Sequence, residues 1–393
     1  MVKLASLFPS VARDTSNTHL VSDVQEGYRN LVAPQHYTLK WTFERDMKKT
    51  LPLGHTIEET LFTEAASQVV RSGSGAATFS GYQNAQTGVK VSAPISYQAA
   101  PLAWNENEVA ANMDPSMGKT YIKAQFEKTY GAKVQNVVQT IIDDLETSHW
   151  NAADQTAMEA GDKALSIPYY VTEETGGLAL DVNSGSAMSA INGVTMAQTN
   201  SKYDNVRLQY TVTGGNSPAA TDLIGRIVGA ARRCHWSSLP AGAAQHGSLE
   251  SIPGVVFCSN WGMDLVQAAY REHGGNQWGT MEMTPYGLTI AGMVFVNVDA
   301  LETAALYTDG SSGLVTESAS GATNTGPRFY GISTKHMCQL FQPGQFMAKD
   351  DPENLTAVGK PYEWVQIFKT AHQLWCADRR RHFIVYPDSD ISS

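Results

Sequence analysis

Seven apolar residues, Ile122, Phe126, Tyr130, Val134, Val138, Ile141 and Leu145, recur at steps of four and three. On a helix of 3.6 residues per turn this spacing puts all of them on one stripe. Asp114-Pro115 supplies a start, an N-cap followed by a residue held at helical φ. At 1.5 Å per residue, a helix over 115–149 is about 50 Å long. A helix of that length with one apolar side must lie along other structure, so the pattern predicts a strut against a sheet. Gly131 weakens it slightly.

The chain before the strut has no core of its own. Residues 1–50 mix Ser, Thr, Asn and Asp with isolated anchors such as Leu20, Tyr28 and Trp41, and read as an arm that is ordered only where it lies on other protein. Residues 51–104 read as a long hairpin. The run 55–63 is rich in Thr, Ile, Leu and Phe, and Gly88-Val89-Lys90-Val91-Ser92 alternates, with Ile95 and Tyr97 in the same period of two. A Gly/Ser-rich tip with Gly73, Gly75 and Phe79 joins them. A lone hairpin is marginal in water, so these tip residues are expected at a contact with a neighbouring subunit.

Beyond the strut, 166–172 and 206–212 are short β-like runs. An alternation follows: a helix over 219–234, a buried strand over 254–258, a helix over 261–272 and a strand over 293–298. A Gly/Ser/Thr loop covers 308–327, and strands are expected at 328–333, 364–368, 373–376 and 382–386.

Composition narrows the function. The 393 residues carry 28 Lys+Arg against 38 Asp+Glu, a net charge of −10, with 42% hydrophobic and only 17% charged residues. Disorder needs the opposite balance, and a basic nucleic-acid reader needs clustered cations. A chain of this length commonly forms two domains. So little charge leaves neutral surface that oligomer contacts would cover. Four dispersed cysteines, Cys234, Cys258, Cys338 and Cys376, do not make a disulfide framework and are expected as buried thiols. The N-terminal apolar stub is too short for a signal peptide, and no run reaches the ~20 apolar residues of a membrane span.

Candidate chemistry is sparse. Gly118-Lys119-Thr120 imitates the end of a phosphate loop, but the glycine needed five residues earlier is Met113 and Asp114 would repel an anion. His336 with Cys338, His372 with Cys376, and Cys234-His235 with His246 could each be half a zinc site, but without a Cys-x-x-Cys pair they read as core residues. No Gly-x-Ser-x-Gly elbow occurs. Asp143-Asp144 and Glu173-Glu174 are expected to be solvated carboxylates. Arg379-Arg380-Arg381, the densest cationic cluster, reads as alternating strand residues. Nucleic-acid contact is one role for it, and pairing with acidic groups of a neighbouring subunit is the preferred one.

The order of elements resembles the tailed-bacteriophage major capsid proteins of the Hong Kong 97 type. The stretches that carry the likeness are the glycine-tipped hairpin, the strut helix, Pro253-Gly254-Val255-Val256-Phe257-Cys258 with the helix and strand after it, and the closing Gln373-Leu374-Trp375-Cys376-Ala377-Asp378-Arg379-Arg380-Arg381-His382-Phe383. The resemblance implies an α+β, Hong Kong 97-like capsid fold. Its parts would be an N-terminal arm (1–50), an extended β-hairpin loop (51–104), a peripheral domain with a long spine helix (105–218), an α/β axial domain (219–327) and return strands completing both domains (328–393). It implies a structural protein and no enzyme, with no catalytic residue, cofactor or metal. Hexamers and pentamers would form an icosahedral head around double-stranded DNA, in the virion, after assembly in the host cytoplasm. With no room for a fused scaffold before the hairpin, the resemblance implies a separate scaffolding protein or none, along with a portal, with or without a decoration protein, only weak non-specific DNA contact and no membrane. Subunit contacts are expected at Gly73, Gly75, Phe79, Arg379, Arg380 and Arg381. An encapsulin-type nanocompartment shell is the alternative in the same fold. A soluble α/β hydrolase or binding protein is the alternative from another class, and it requires a deep pocket with convergent polar groups.

Hydrogen exchange over 51–104 is expected to be fast in a dissociated subunit and slow in an assembly. Equal protection in both states contradicts a hairpin ordered by its neighbours.

Overall fold

The computed structural model describes residues 38, 48–50, 56–62, 88–94, 96–105, 119–151, 153–175, 178–181, 186–191, 194–195, 204–211, 220–234, 254–272, 282–284, 287–290, 293–301, 326–333, 336–342, 344–355, 359–360, 362–376 and 378–388. The strands are β1 (Lys48–Thr50), β2 (Thr56–Phe62), β3 (Gly88–Pro94), β4 (Ser96–Asn105), β5 (Glu174–Thr175), β6 (Leu178–Asp181), β7 (Ser186–Ala187), β8 (Ala190–Ile191), β9 (Val194–Thr195), β10 (Val206–Tyr210), β11 (Val255–Cys258), β12 (Glu282–Thr284), β13 (Gly287–Ile290), β14 (Met293–Asn297), β15 (Phe329–Ile332), β16 (Met337–Phe341), β17 (Ala348–Lys349), β18 (Glu353–Asn354), β19 (Glu363–Cys376) and β20 (Phe383–Pro387). The helices are α1 (Lys119–His149), α2 (Gln155–Ala160), α3 (Ile167–Tyr170), α4 (Ala220–Arg233) and α5 (Asn260–Glu272). The fold is α+β, with mixed sheets. The chain divides into a smaller unit (1–36, 97–146 and 341–372) and a larger one (37–96, 147–340 and 373–393).

In the smaller unit the helical stripe does what its spacing requires. Tyr130, Val134, Ile141 and Leu145 are buried, while Val138 is half-buried. The Tyr130 ring meets Trp104 of β4 edge to face, with centroids 5.6 Å apart, and its hydroxyl donates to Gln366 Oε1 on β19. Strands β4, β17 and β18 all pair with β19, so the strut is seated on a sheet built around a C-terminal strand. Where the sequence suggested strands at 364–368 and 373–376, β19 is one strand of 14 residues. The polar-looking join has Thr370 and His372 buried, which hides the continuity from a hydropathy reading.

In the larger unit, seven strands run in the order β10-β20-β15-β11-β14-β13-β12. The pairs β10–β20 and β11–β14 are parallel. The pairs β15–β20, β11–β15, β13–β14 and β12–β13 are antiparallel. The central strands read as unbroken apolar runs, VVFC, MVFVN and FIVYP, because the sheet is covered on both faces. On one face Leu223, Ile227 and Ala231 of α4 and Val266 of α5 join Val256, Phe295, Phe329 and Phe383 in a single core. On the other, the Trp150 ring meets Phe257 and Tyr330 edge to face at 5.6 and 5.5 Å. Its indole N–H donates to Thr38 Oγ1 at 2.8 Å. Strands β2 and β3 form a separate antiparallel pair from Thr56↔Pro94 to Phe62↔Gly88, as the alternation predicted.

The β-like run at 166–172 is instead the short helix α3. Ser166 caps it, its hydroxyl accepting from the Tyr169 N–H at 3.3 Å, and Pro168 sits in the first turn. All four helical residues are buried, so the run imitates a core strand in composition while its cap and proline dictate a turn.

Gly331 is required by close approach. It pairs with Phe383, and a Cβ there would lie 2.2 Å from the Phe383 ring. Gly331→Ala should therefore lower the urea midpoint, by about 1–3 kcal/mol of stability as for other overpacked sites. An unchanged midpoint contradicts the tight β15–β20 contact.

Candidate functional site

Charged side chains withdrawn from water must be paired or bonded at nearly every donor, and the larger unit gathers several of them in one place. Three arginines from three parts of the chain converge on the segment 170–173 that leaves α3. Arg379, with no exposed surface, donates from Nε to the Tyr170 carbonyl at 2.7 Å and from Nη2 to Asn205 Oδ1 at 3.1 Å. Asp204 lies 3.6 Å from the same guanidinium. Arg207, on edge strand β10, donates from Nε to the Thr172 carbonyl at 2.9 Å. It also grips both oxygens of Asp204, at 2.6 and 2.7 Å. Arg328, immediately before β15 and 2% exposed, donates to Glu173, which is 3% exposed. Its Nη1 reaches the Gly326 carbonyl at 2.9 Å. Asn205 completes the set, donating to the Thr172 carbonyl at 3.0 Å.

The electrostatics follow from this packing. Burial alone would lower the Arg328 pKa, but Glu173 beside it more than compensates and holds it above the ordinary value. Desolvation works against ionised Asp378, while the Arg380 guanidinium and backbone N–H overcome it and pull its pKa down. Guanidinium groups do not release protons near neutrality, and the carboxylates here are engaged by arginines. The cluster can fasten α3, β10 and β15 to the turn before β20. It presents no activated nucleophile.

The expected site residues fall in different places. Gly73, Gly75 and Phe79 lie outside the described residues. Arg379, Arg380 and Arg381 do not alternate along a strand but form a 3-10 turn. The physical reason is a cap: Asp378 Oδ1 accepts from the Arg380 N–H at 3.1 Å, and local side-chain bonding of this kind competes with strand geometry. Arg379 therefore points into the unit, while Arg380 is 58% exposed and chelates Asp378. The acidic partners beside the triplet, Asp204 and Asp378, belong to its own chain.

Glu173 is a second correction, since the expected solvated carboxylate is buried against Arg328. None of the four cysteines forms a disulfide and all are buried, as the spacing implied, and burial pushes Cys234 up to about 12. Among the described residues no group of three or more His, Cys, Asp or Glu could hold a metal ion, and no helix is long and apolar enough to cross a membrane. Beside β10 a shallow cleft is lined by Arg207, Gln209, Arg226 and Asp388, but its arginines already grip Asp204 and Asp222. Sequence reasoning missed Arg207 and Arg328. Each interrupts or abuts an apolar strand run, where an arginine survives only with buried partners.

No protein-family model matches the chain, and no curated protein matches it in sequence. Solved structures do match. A capsid subunit of cyanophage A-1(L) superimposes over 93% of this chain and 96% of that one, with a TM-score of 0.59 and 12% identity. The capsid of an empty GTA particle covers 93% and 95%, with a TM-score of 0.49 and 10% identity. The holo-SrpI encapsulin complex of Synechococcus elongatus covers 93% and 92%, with a TM-score of 0.47 and 7% identity. The chain thus has the fold of the cyanophage capsid subunit, a viral shell protein, over nearly its whole length.

Removing one partner of the buried pair should be costly. Glu173→Ala is expected to lose about 3–5 kcal/mol in urea unfolding, and the double variant E173A/R328M should recover much of that loss. A loss below about 1 kcal/mol in the single variant contradicts a dry, paired Arg328.

Proposed function

We propose that this chain is the major capsid protein of a tailed bacteriophage, with a Hong Kong 97-like fold, building hexamers and pentamers of an icosahedral head around double-stranded DNA. The observation that carries the reading is the fold shared with the cyanophage A-1(L) capsid subunit over 93% of the chain. The physical design agrees with it. The larger unit is packed on both sheet faces and fastened internally by ionic bonds, which supports a rigid wall element. In this reading the division is arm (1–50), hairpin loop (51–104), peripheral domain (105–218), axial domain (219–327) and return strands (328–393), and the protein is a structural component of the virion assembled in the host cytoplasm.

Its partners would be other copies of itself, a separate scaffolding protein, a portal and a decoration protein. With a net charge of −10, the wall would touch DNA weakly and enclose it through continuity of the shell. The hairpin tip, with Gly73, Gly75 and Phe79, and the outer part of the arginine turn, exposed Arg380 and half-buried Arg381, are proposed subunit contacts. Arg379 would act there from within, by holding the turn in shape.

Expressed with the products of its neighbouring genes, the full chain should appear in negative stain as closed shells or as rings of five and six. A monodisperse monomer by light scattering under the same conditions contradicts the proposal, and shells filled with an enzyme cargo favour the nanocompartment instead.

A further inference from the structure

His382 lies between the arginine turn and β20, fully buried, and four parts of the larger unit meet on it. Its own N–H donates to the Arg379 carbonyl at 3.0 Å, and its carbonyl accepts from the Val206 N–H of β10 at 3.0 Å. The Cys234 thiol, at the end of α4, also donates to that carbonyl at 3.3 Å. On the side chain, Nδ1 accepts from the Ser333 N–H, just past β15, at 3.1 Å. Because Nδ1 is an acceptor, the ring must be neutral with its proton on Nε2. That Nε2 is buried without a hydrogen-bond partner among the described residues.

We propose that His382 is an acid-sensitive latch: the neutral ring fastens the start of β20 to the end of β15, and a proton taken from solvent at Nδ1 cancels that bond and releases the C-terminal return strand from the sheet. A protonated Nδ1 is a donor facing another donor, in a place where water cannot compensate. The charged form is opposed first by burial, then by His336 from the turn before β16 and by Arg379 from its own turn, and only Asp378 favours it. Around its carbonyl, Cys234 stays a protonated thiol and Arg381 adds a further positive charge. None of these groups supplies an acceptor to a protonated Nδ1 in the recorded geometry.

The folded ring holds out against protonation down to about pH 3, whereas the ordinary value is 6.5. The latch is therefore intact above pH 6.5 and is lost progressively as the pH falls from there toward about 3, because the opened form binds the extra proton. The released piece is defined: β20 lies between β15 and edge strand β10, so opening frees the β10–β20 side of the sheet and leaves β14 in place.

Hydrogen exchange of the full-length protein at pH 7, 6, 5 and 4, corrected for intrinsic rates, tests this. Protection over 206–210 and 383–387 should fall by up to about tenfold per pH unit below 6.5, ahead of any loss over 293–297. His382→Asn places an amide oxygen near the Nδ1 position and cannot take up the proton, so its protection should be nearly flat over the same range. Equal wild-type protection at pH 7 and pH 4, or an equally steep fall in H382N, overturns the latch. Should H382N fail to fold, the wild-type profile decides: a fall beginning near pH 6 in 383–387 before 293–297 supports the latch, and a simultaneous fall in both overturns it.

Discussion

A guanidinium group taken out of water is tolerated only where its N–H donors find acceptors, and three of them meeting at one segment set much of the larger unit's organisation. Segment 170–173 receives Arg379 at the Tyr170 carbonyl, Arg207 at the Thr172 carbonyl and Arg328 at Glu173. Those arginines come from the turn before β20, from β10 and from the residue ahead of β15. Strands distant in sequence are thereby tied to one short helix. Apolar residues of similar volume could give comparable stability, but they would accept many arrangements. Directed bonds to particular carbonyls accept very few.

Around that fastening the central strands of the seven-stranded sheet are buried on both faces. Helices α4 and α5 cover one face and Trp150 anchors the other. Such a sheet has little freedom to bend without opening gaps, because protein interiors are close-packed. Gly331 under the Phe383 ring is the tightest expression of this. In the smaller unit the strut α1 meets Trp104 and Gln366 through Tyr130. The two units therefore each hold themselves together by different means, one by an apolar stripe on a sheet and the other by a two-faced sheet locked with ions.

The legible parts of this fold were those with one dominant periodicity. The stripe from Tyr130 to Leu145 and the runs VVFC and MVFVN could be read because burial of one face, or of both, leaves a plain mark in sequence. Segment 166–172 misled because its buried aromatic and β-branched residues resemble a strand, and the Ser166 cap with Pro168 outweighed them. β19 was split in two because Thr370 and His372 are polar yet buried. The arginine triplet is plain in sequence and its geometry is not, since one capping carboxylate at Asp378 decides between strand and turn. Glu173 reads as a surface carboxylate in sequence because its partner Arg328 is 155 residues away, a separation that no local pattern encodes.

In the proposed reading the chain is a shell subunit whose larger unit is closed by its own buried arginines, with neighbours meeting only its outer residues. A density map of the purified assembly, at a resolution that shows side chains, tests this most directly. The account predicts Arg379 sealed inside each subunit against the Tyr170 carbonyl and Asn205, Arg328 against Glu173 of the same chain, and Arg380 on the surface. A map in which Arg379 or Arg328 reaches into a neighbouring subunit, or in which the protein forms no closed assembly, contradicts it.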